Sequence, residues 1–195
     1  MKAAIDRRFG TWRGLARLAL AYAELLSGRL LRFRLRHPER VRRVVFVCLG
    51  NICRSAYAEQ AAHAVGLNVV SVGLSTTTGA ASPVSATAAA ARRGAHMTAH
   101  RACDWSDYEV RSGDLLLVME IRQAHAVRRR LGPRDDVQVG LLGMWCAPPL
   151  PHLHDPFELS DGYFDSCFAR VQQAVGRLAL ALPNARLARL RGEGG

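Results

Sequence analysis

Val44-Val45-Phe46-Val47 is an unbroken run of β-branched and aromatic residues, which suits a strand covered on both faces. The chain beyond it alternates helix and strand patterns. Residues 55–65 predict a helix with Ala58, Ala61, Ala62 and Val65 on one side, and residues 67–72 predict a second strand that Gly73 ends. A helix over 82–93 carries Pro83 in its first turn, where the missing N–H does no harm. Strand 114–119, helix 121–131 ended by Gly132-Pro133, strand 137–142 and a long helix over 161–182 closed by Pro183 complete the series. Strands that alternate with helices imply an α/β fold, here a four-stranded parallel sheet with helices on both faces. Ligands of such sheets sit beyond the carboxyl ends of the strands. Cys48 falls at one of those ends.

Charge divides the chain unevenly. The net charge is +11, and residues 1–43 hold 12 Lys/Arg against Asp6, Glu24 and Glu39, so most of the excess belongs to an N-terminal arm. Within it Phe9, Trp12, Leu15, Ala16, Leu18, Ala19, Tyr22, Leu25 and Leu26 recur at helical spacing, with Arg13, Arg17 and Glu24 on the opposite stripe. This predicts an amphipathic helix of about four turns. Ser27-Gly28 weakens it and His37-Pro38 stops it. The expected organisation is a basic arm over 1–42, one catalytic domain over 43–184 and a disordered basic tail over 185–195. Leu18 to Ala23 is the longest uncharged stretch of residues 15–31, too short for a secretory segment or a membrane span. Five cysteines, an odd number with no export signal, do not read as a disulfide scaffold, so a cytoplasmic protein is expected.

The segment Cys48-Leu49-Gly50-Asn51-Ile52-Cys53-Arg54-Ser55 links the first strand to the first helix. Its backbone N–H groups can converge as an anion nest, and the helix start adds unpaired N–H groups and a positive dipole end. The same field favours a thiolate at Cys48. Arg54 can fork across two phosphate oxygens. Gly50 is expected to permit the tight turn, Asn51 to accept left-handed φ, and Ser55 to cap the helix and face the sulfur. A cysteine and an arginine with five residues between them often occur by chance. The whole octet between strand and helix is far more specific.

That octet resembles the signature Cys-x-Gly-Asn-x-Cys-Arg-Ser of the low-molecular-weight protein tyrosine phosphatases, and the likeness extends over about residues 43–182. Ser71-Val72-Gly73 is similar to the family's Ser-Ala-Gly. His100-Arg101-Ala102 resembles a segment whose histidine braces the loop serine, with Cys103 where arginine is usual. Leu117-Val118-Met119-Glu120 matches a strand ending in Met-Asp, with Glu for Asp, and Leu141-Leu142-Gly143 also fits. His154-Asp155-Pro156-Phe157 is similar to the family's general-acid segment. By itself Asp-Pro is a turn signal, and it gains weight because the cysteine loop leaves the proton donor unassigned. Asp161 and Asp165 read as a cap and a solvated helix residue.

The resemblance implies a phosphotyrosine phosphatase with Cys48 as nucleophile, Arg54 on the phosphate, Asp155 as general acid and base, and Ser71 and His100 supporting the loop. Leu49, Gly50, Asn51, Ile52, Cys53, Ser55 and Phe157 would contact phosphate or substrate. Leu49, Ile52 and Phe157 offer apolar surfaces that suit an aromatic ring. The family's phosphoarginine branch carries threonine at the position of Ile52, and its Asp-Pro is commonly followed by two aromatics, the second replaced here by Glu158. Cys53 either fills space or, as in relatives with this pair, forms a reversible disulfide with Cys48. An arsenate reductase of the same fold would want a cysteine where Glu120 stands. A non-catalytic phosphate-recognising module is the remaining rival. No cofactor is expected. His152, His154 and Asp155 are close enough in sequence to raise a metal site, which the phosphocysteine route does not require. The partner implied is a phosphotyrosine protein, in bacteria often a membrane-associated tyrosine kinase of exopolysaccharide export. The arm either packs on its own domain or touches the inner membrane surface through residues 9–36, and no nucleic-acid motif accompanies its charge.

Overall fold

The strand β1, Arg43–Cys48, sends Val44, Phe46 and Cys48 to one side and Val45 and Val47 to the other, so two apolar layers form around it. It is flanked by parallel β2, Val69–Gly73, and β3, Asp114–Val118, while β4, Gln138–Leu141, lies outside β3. The computed structural model describes residues 2–187 and has the sheet order β2-β1-β3-β4, as expected for the α/β class. Register places Cys48 beside Gly73 at the carboxyl ends of their strands. A Cβ at Gly73 would stand 3.0 Å from the Leu49 carbonyl oxygen and 3.2 Å from the Asn51 Cβ. The small residue therefore lets the loop pass over β2.

Three helices cover the first face: α3, Arg54–Ala64, α4, Val84–Ala91, and α6, Asp161–Ala181. Their contributions include Ala56, Tyr57, Ala86, Ala89, Phe164 and Phe168, with Tyr57 stacked on Phe168 at 4.1 Å between ring centroids. The other face receives α5, Ile121–Leu131, through Ala124 and Val127. One helix is too little to cover that face, and Leu30 and Phe33 of the arm complete the layer. Both are 4% exposed.

The arm is made of α1, Lys2–Phe9, α2, Trp12–Leu26, and a 3₁₀ turn over Arg29–Phe33. Gly10, at φ +80°, separates the two helices, so Phe9 does not belong to the long helix as its spacing suggests. Thr11 caps α2 by accepting from the Gly14 N–H at 3.0 Å. Its buried residues are Gly14, Leu18 and Ala21, whereas Trp12, Leu20 and Leu26 are 69%, 67% and 87% exposed. The single apolar stripe expected from periodicity is thus two stripes. The inward one depends on small residues, which allow close approach yet carry little hydrophobic signal. Beyond the turn, the backbone N–H groups of Arg36 and His37 donate to Gln138 Oε1 at 3.0 and 2.9 Å, and Gln138 Nε2 returns a bond to the His37 carbonyl. These contacts tie the arm to the first residue of β4.

The expected disordered tail is corrected at its start. Asn68 N donates to the Ala185 carbonyl at 2.7 Å, Leu187 N donates to the Gly66 carbonyl at 2.9 Å, and Arg186 pairs with Leu67 in an antiparallel bridge. Residues 188–195 lie outside the described part. The expected cap Asp161 is instead the first residue of α6, whose N-cap is Ser160.

Because Leu30 and Phe33 share a layer with the sheet, arm and body should unfold together. Phe33→Ala is expected to lower stability by about 3 kcal/mol in a single urea transition. A separate low-denaturant phase would show an independently melting arm.

Candidate active site

The loop between β1 and α3 is organised around Asn51, which is fully buried and left-handed at φ +52°. Its backbone N–H donates to Cys48 Sγ at 3.2 Å. Its side-chain nitrogen donates to Ser55 Oγ at 2.9 Å and Ser71 Oγ at 2.7 Å. Its side-chain oxygen accepts from the Cys103 N–H at 2.9 Å, and its carbonyl accepts from His100 Nε2 at 2.7 Å. Every polar group of this residue therefore has a partner. Glu59 on α3 ties the ring of supports together, accepting from Ser71 Oγ at 2.7 Å with His100 Nδ1 3.4 Å from the same oxygen.

Left-handed φ falls on Asn51, as its side-chain chemistry leads one to expect, while other expectations change in detail. Ser55 does not cap α3; Cys53 occupies the N-cap position without a side-chain bond, and the Ser55 hydroxyl lies 3.0 Å from Cys48 Sγ. His100 reaches the Asn51 carbonyl and not the serine hydroxyl that the resemblance implied. Cys103, where arginine is usual, contributes through its backbone: its N–H holds Asn51 and its carbonyl accepts from Gly73 N at 2.8 Å.

Arg54 has no exposure at all. Its Nη1 donates to Glu120 Oε1 and to the Leu153 carbonyl, both at 2.8 Å, and its Nη2 donates to Asp155 Oδ2 at 2.5 Å. The remaining guanidinium nitrogen, Nε, is buried without a partner. Burial alone would favour discharge, but the negative charge of Asp155, Cys48 and Glu120 outweighs it and holds the guanidinium above the ordinary arginine range. Burial likewise opposes ionisation of Glu120. Arg54 and then Arg122, whose Nε donates at 2.7 Å, prevail and hold that carboxylate down to about 2.

Asp155 lies at the mouth, its side chain 34% exposed, with Oδ1 accepting from the Phe157 N–H at 3.3 Å. Leu49 and Phe157 are each 45% exposed beside the loop, and Ile52 is half-buried. Cys53 is buried, and burial, followed by the charges of Asp155 and Cys48, pushes its thiol well above the usual cysteine range. Cys146 and Cys167 are buried packing residues with thiols pushed up to about 11 and about 12 by burial. His154 turns to Thr11 of the arm while Asp155 turns to Arg54, so the two do not converge with His152, and no group of three metal-binding side chains gathers among the described residues. Glu59, Gln123, whose Oε1 accepts from the Met119 N–H, and Tyr163, whose hydroxyl donates to the His154 carbonyl, were missed by sequence reasoning. Gln123 and Tyr163 act on residues only four and nine positions away and Glu59 on one twelve away, yet none carries a motif that marks it.

A parallel sheet that delivers a cysteine, an N–H-lined turn and a buried arginine to one strand end defines an α/β phosphatase of the cysteine-loop kind. The family profile described as low molecular weight phosphotyrosine protein phosphatase matches residues 43–190, and the chain belongs to that family. It is a protein-tyrosine-phosphatase by that membership. Over 144 residues it is 30% identical to the low molecular weight protein-tyrosine-phosphatase Wzb of Escherichia coli K12, covering 71% of this chain and 94% of that protein. It is 27% identical over 137 residues to the probable phosphatase EpsP of Ralstonia solanacearum, covering 69% and 92%. The crystal structure of the Erwinia amylovora tyrosine phosphatase AmsI superposes with a TM-score of 0.62 at 26% identity, covering 73% of this chain and 94% of that one. The matched profile begins at residue 43, which leaves the arm outside it.

His152 supplies a pH test. Burial pushes its imidazole from 6.5 down to about 4, so between those values the unfolded chain binds the extra proton. Stability is fully present above pH 6.5 and is lost as pH falls through 4. Thermal melts from pH 7 to 4 should show a loss of up to about 3 kcal/mol from this group, and His152→Gln should flatten the slope.

Proposed function

We propose that the protein hydrolyses phosphotyrosine in proteins through a phosphocysteine on Cys48. The observation that supports this best is the convergence on one loop of the Cys48 sulfur, the buried Arg54 and the Asp155 carboxyl. The Cys48 thiolate attacks phosphorus while the bond from phosphorus to the tyrosine oxygen breaks. Asp155 delivers its proton to that departing oxygen, which would otherwise leave as a poor phenolate. In the second step Asp155 takes a proton from water, the water oxygen attacks phosphorus, and the bond to sulfur breaks to release phosphate and the thiolate. The loop N–H groups and the unpartnered Nε of Arg54 hold the equatorial oxygens. Asn51, Ser55, Ser71 and His100 fix the loop around them.

The rim fits an aryl ester. Leu49 and Phe157 stand exposed beside the mouth, and Ile52 adds apolar surface. Glu120 argues against an arsenate reductase, since a carboxylate bound to Arg54 and Arg122 occupies the place such an enzyme gives to a second cysteine. Cys53 lies in the same loop and would close a disulfide on an oxidised Cys48 once it gives up the proton that burial holds on its thiol.

The arm supports a cytoplasmic enzyme that works at the inner membrane surface on a membrane-associated tyrosine kinase. Its outward stripe of Trp12, Ala16, Leu20 and Leu26 runs beside exposed Arg13 and Arg17, the pairing of apolar contact with positive charge that anionic lipid favours. No described helix is long and apolar enough to cross a membrane.

A phosphopeptide panel tests the chemistry. Cys48→Ser should lose at least about 10⁴-fold in rate, and Asp155→Asn about 10²-fold to 10³-fold. Equal rates in wild type and Cys48→Ser would instead indicate a binding module. Co-sedimentation with vesicles containing phosphatidylglycerol should be lost in a Trp12→Glu, Leu20→Glu variant; retention would exclude the outward stripe as the contact.

A further inference from the structure

The inner stripe of the arm ends on the segment that carries Asp155. Thr11 Oγ1 lies 3.2 Å from His154 Nε2 while the same oxygen accepts the Gly14 N–H at 3.0 Å, so the helix cap and the imidazole are joined through one atom. Two glycines make room for the ring. A Cβ at Gly10 would stand 2.9 Å from His154 Cδ2 and 2.7 Å from Tyr163 Cε1. A Cβ at Gly14 would stand 2.2 Å from the Phe9 carbonyl oxygen and 2.8 and 2.9 Å from His154 Cδ2 and Cγ, so α1 and the ring both crowd this position. Glycine inside a helix costs about 1 kcal/mol relative to alanine, so Gly14 marks a place where close approach outweighs helix propensity. Lower on the same helix the Tyr22 hydroxyl donates to the Pro149 carbonyl at 2.7 Å, fastening the arm to an earlier part of the same segment.

On its other side the segment belongs to the body. The His154 carbonyl accepts from Tyr163 Oη at 3.1 Å, and Leu153 N donates to the Met119 carbonyl at 3.0 Å. The chain between Pro149 and Asp155 is therefore gripped by α6 and β3 from below and by α2 from outside. Asp155 is the next residue after the gripped imidazole.

We infer that Thr11 and Gly14 of the arm are positioning residues for the proton donor: by seating His154 they fix where the Asp155 carboxyl stands over the loop. The arm is in this way part of the catalytic apparatus of a chain whose family match begins only at residue 43. The inference rests on the reading of Asp155 as general acid. A proton donor is sensitive to placement, because displacement by about 1 Å can cost on the order of 10²-fold in rate.

The test uses the full chain and two aryl phosphates that differ in their need for a proton. Phenyl phosphate has a poor leaving group, whereas 2,4-dinitrophenyl phosphate departs unaided. In Thr11→Val, kcat/KM for phenyl phosphate is expected to fall about 10-fold and that for the dinitrophenyl ester less than about 2-fold. Thr11→Ser, which keeps the hydroxyl, should restore the wild-type ratio. In an Asp155→Asn background Thr11→Val should have no additional effect, since both act on one proton transfer. An equal fall for both substrates, no fall, or a loss that adds to that of Asp155→Asn would overturn the positioning role. Should Asp155→Asn itself slow both substrates alike, the general-acid reading fails and this inference with it.

Discussion

A guanidinium with no solvent contact is the constraint around which the site is built. Burying a charge without compensation is prohibitive, so Arg54 requires acceptors on every side that phosphate does not use. Glu120 just beyond β3, and the Leu153 carbonyl and Asp155 of a second segment, answer that demand. The arginine thereby fixes the mutual placement of α3, the junction between β3 and α5, and the segment that carries Asp155. In the proposed reading its charge serves folding and phosphate binding at once, and Glu120 would keep the two compatible by holding one edge of the fork while Nε stays unpartnered.

Asn51 does for the loop what Arg54 does for the surrounding segments. A left-handed asparagine has no helix or strand partner for its backbone, and this one satisfies its groups through Cys48, His100, Cys103, Ser55 and Ser71. Rigidity at the strand end follows from that saturation. Flexibility would scatter the N–H groups that have to point at a single anion.

The sheet, its helices and the position of the loop were legible in sequence because they rest on local pattern. Val44 to Val47 and residues 114–118 are short apolar runs with turns at both ends, and the alternation of strand and helix leaves little freedom in topology. Within the loop, left-handed φ at Asn51 followed from side-chain chemistry. Glu59, the backbone of Cys103 and Tyr163 were not legible, since they enter through folding and nothing in their own neighbourhood marks them. The arm failed in an instructive way. Counting apolar residues at helical steps put Trp12, Leu18 and Leu26 on one stripe, whereas the packed face is Gly14, Leu18 and Ala21, two of which contribute the space they leave.

Leu30 and Phe33 fill the layer above β3 and β4, and the stretch after them is sewn to Gln138 on the last strand. A boundary drawn at residue 43, where the family match begins, therefore passes through a shared core. The phosphatase body of this chain is not a portable cassette. Grafted onto another partner without its arm, it would carry an open apolar seam, so the two segments can diverge in sequence only as a pair.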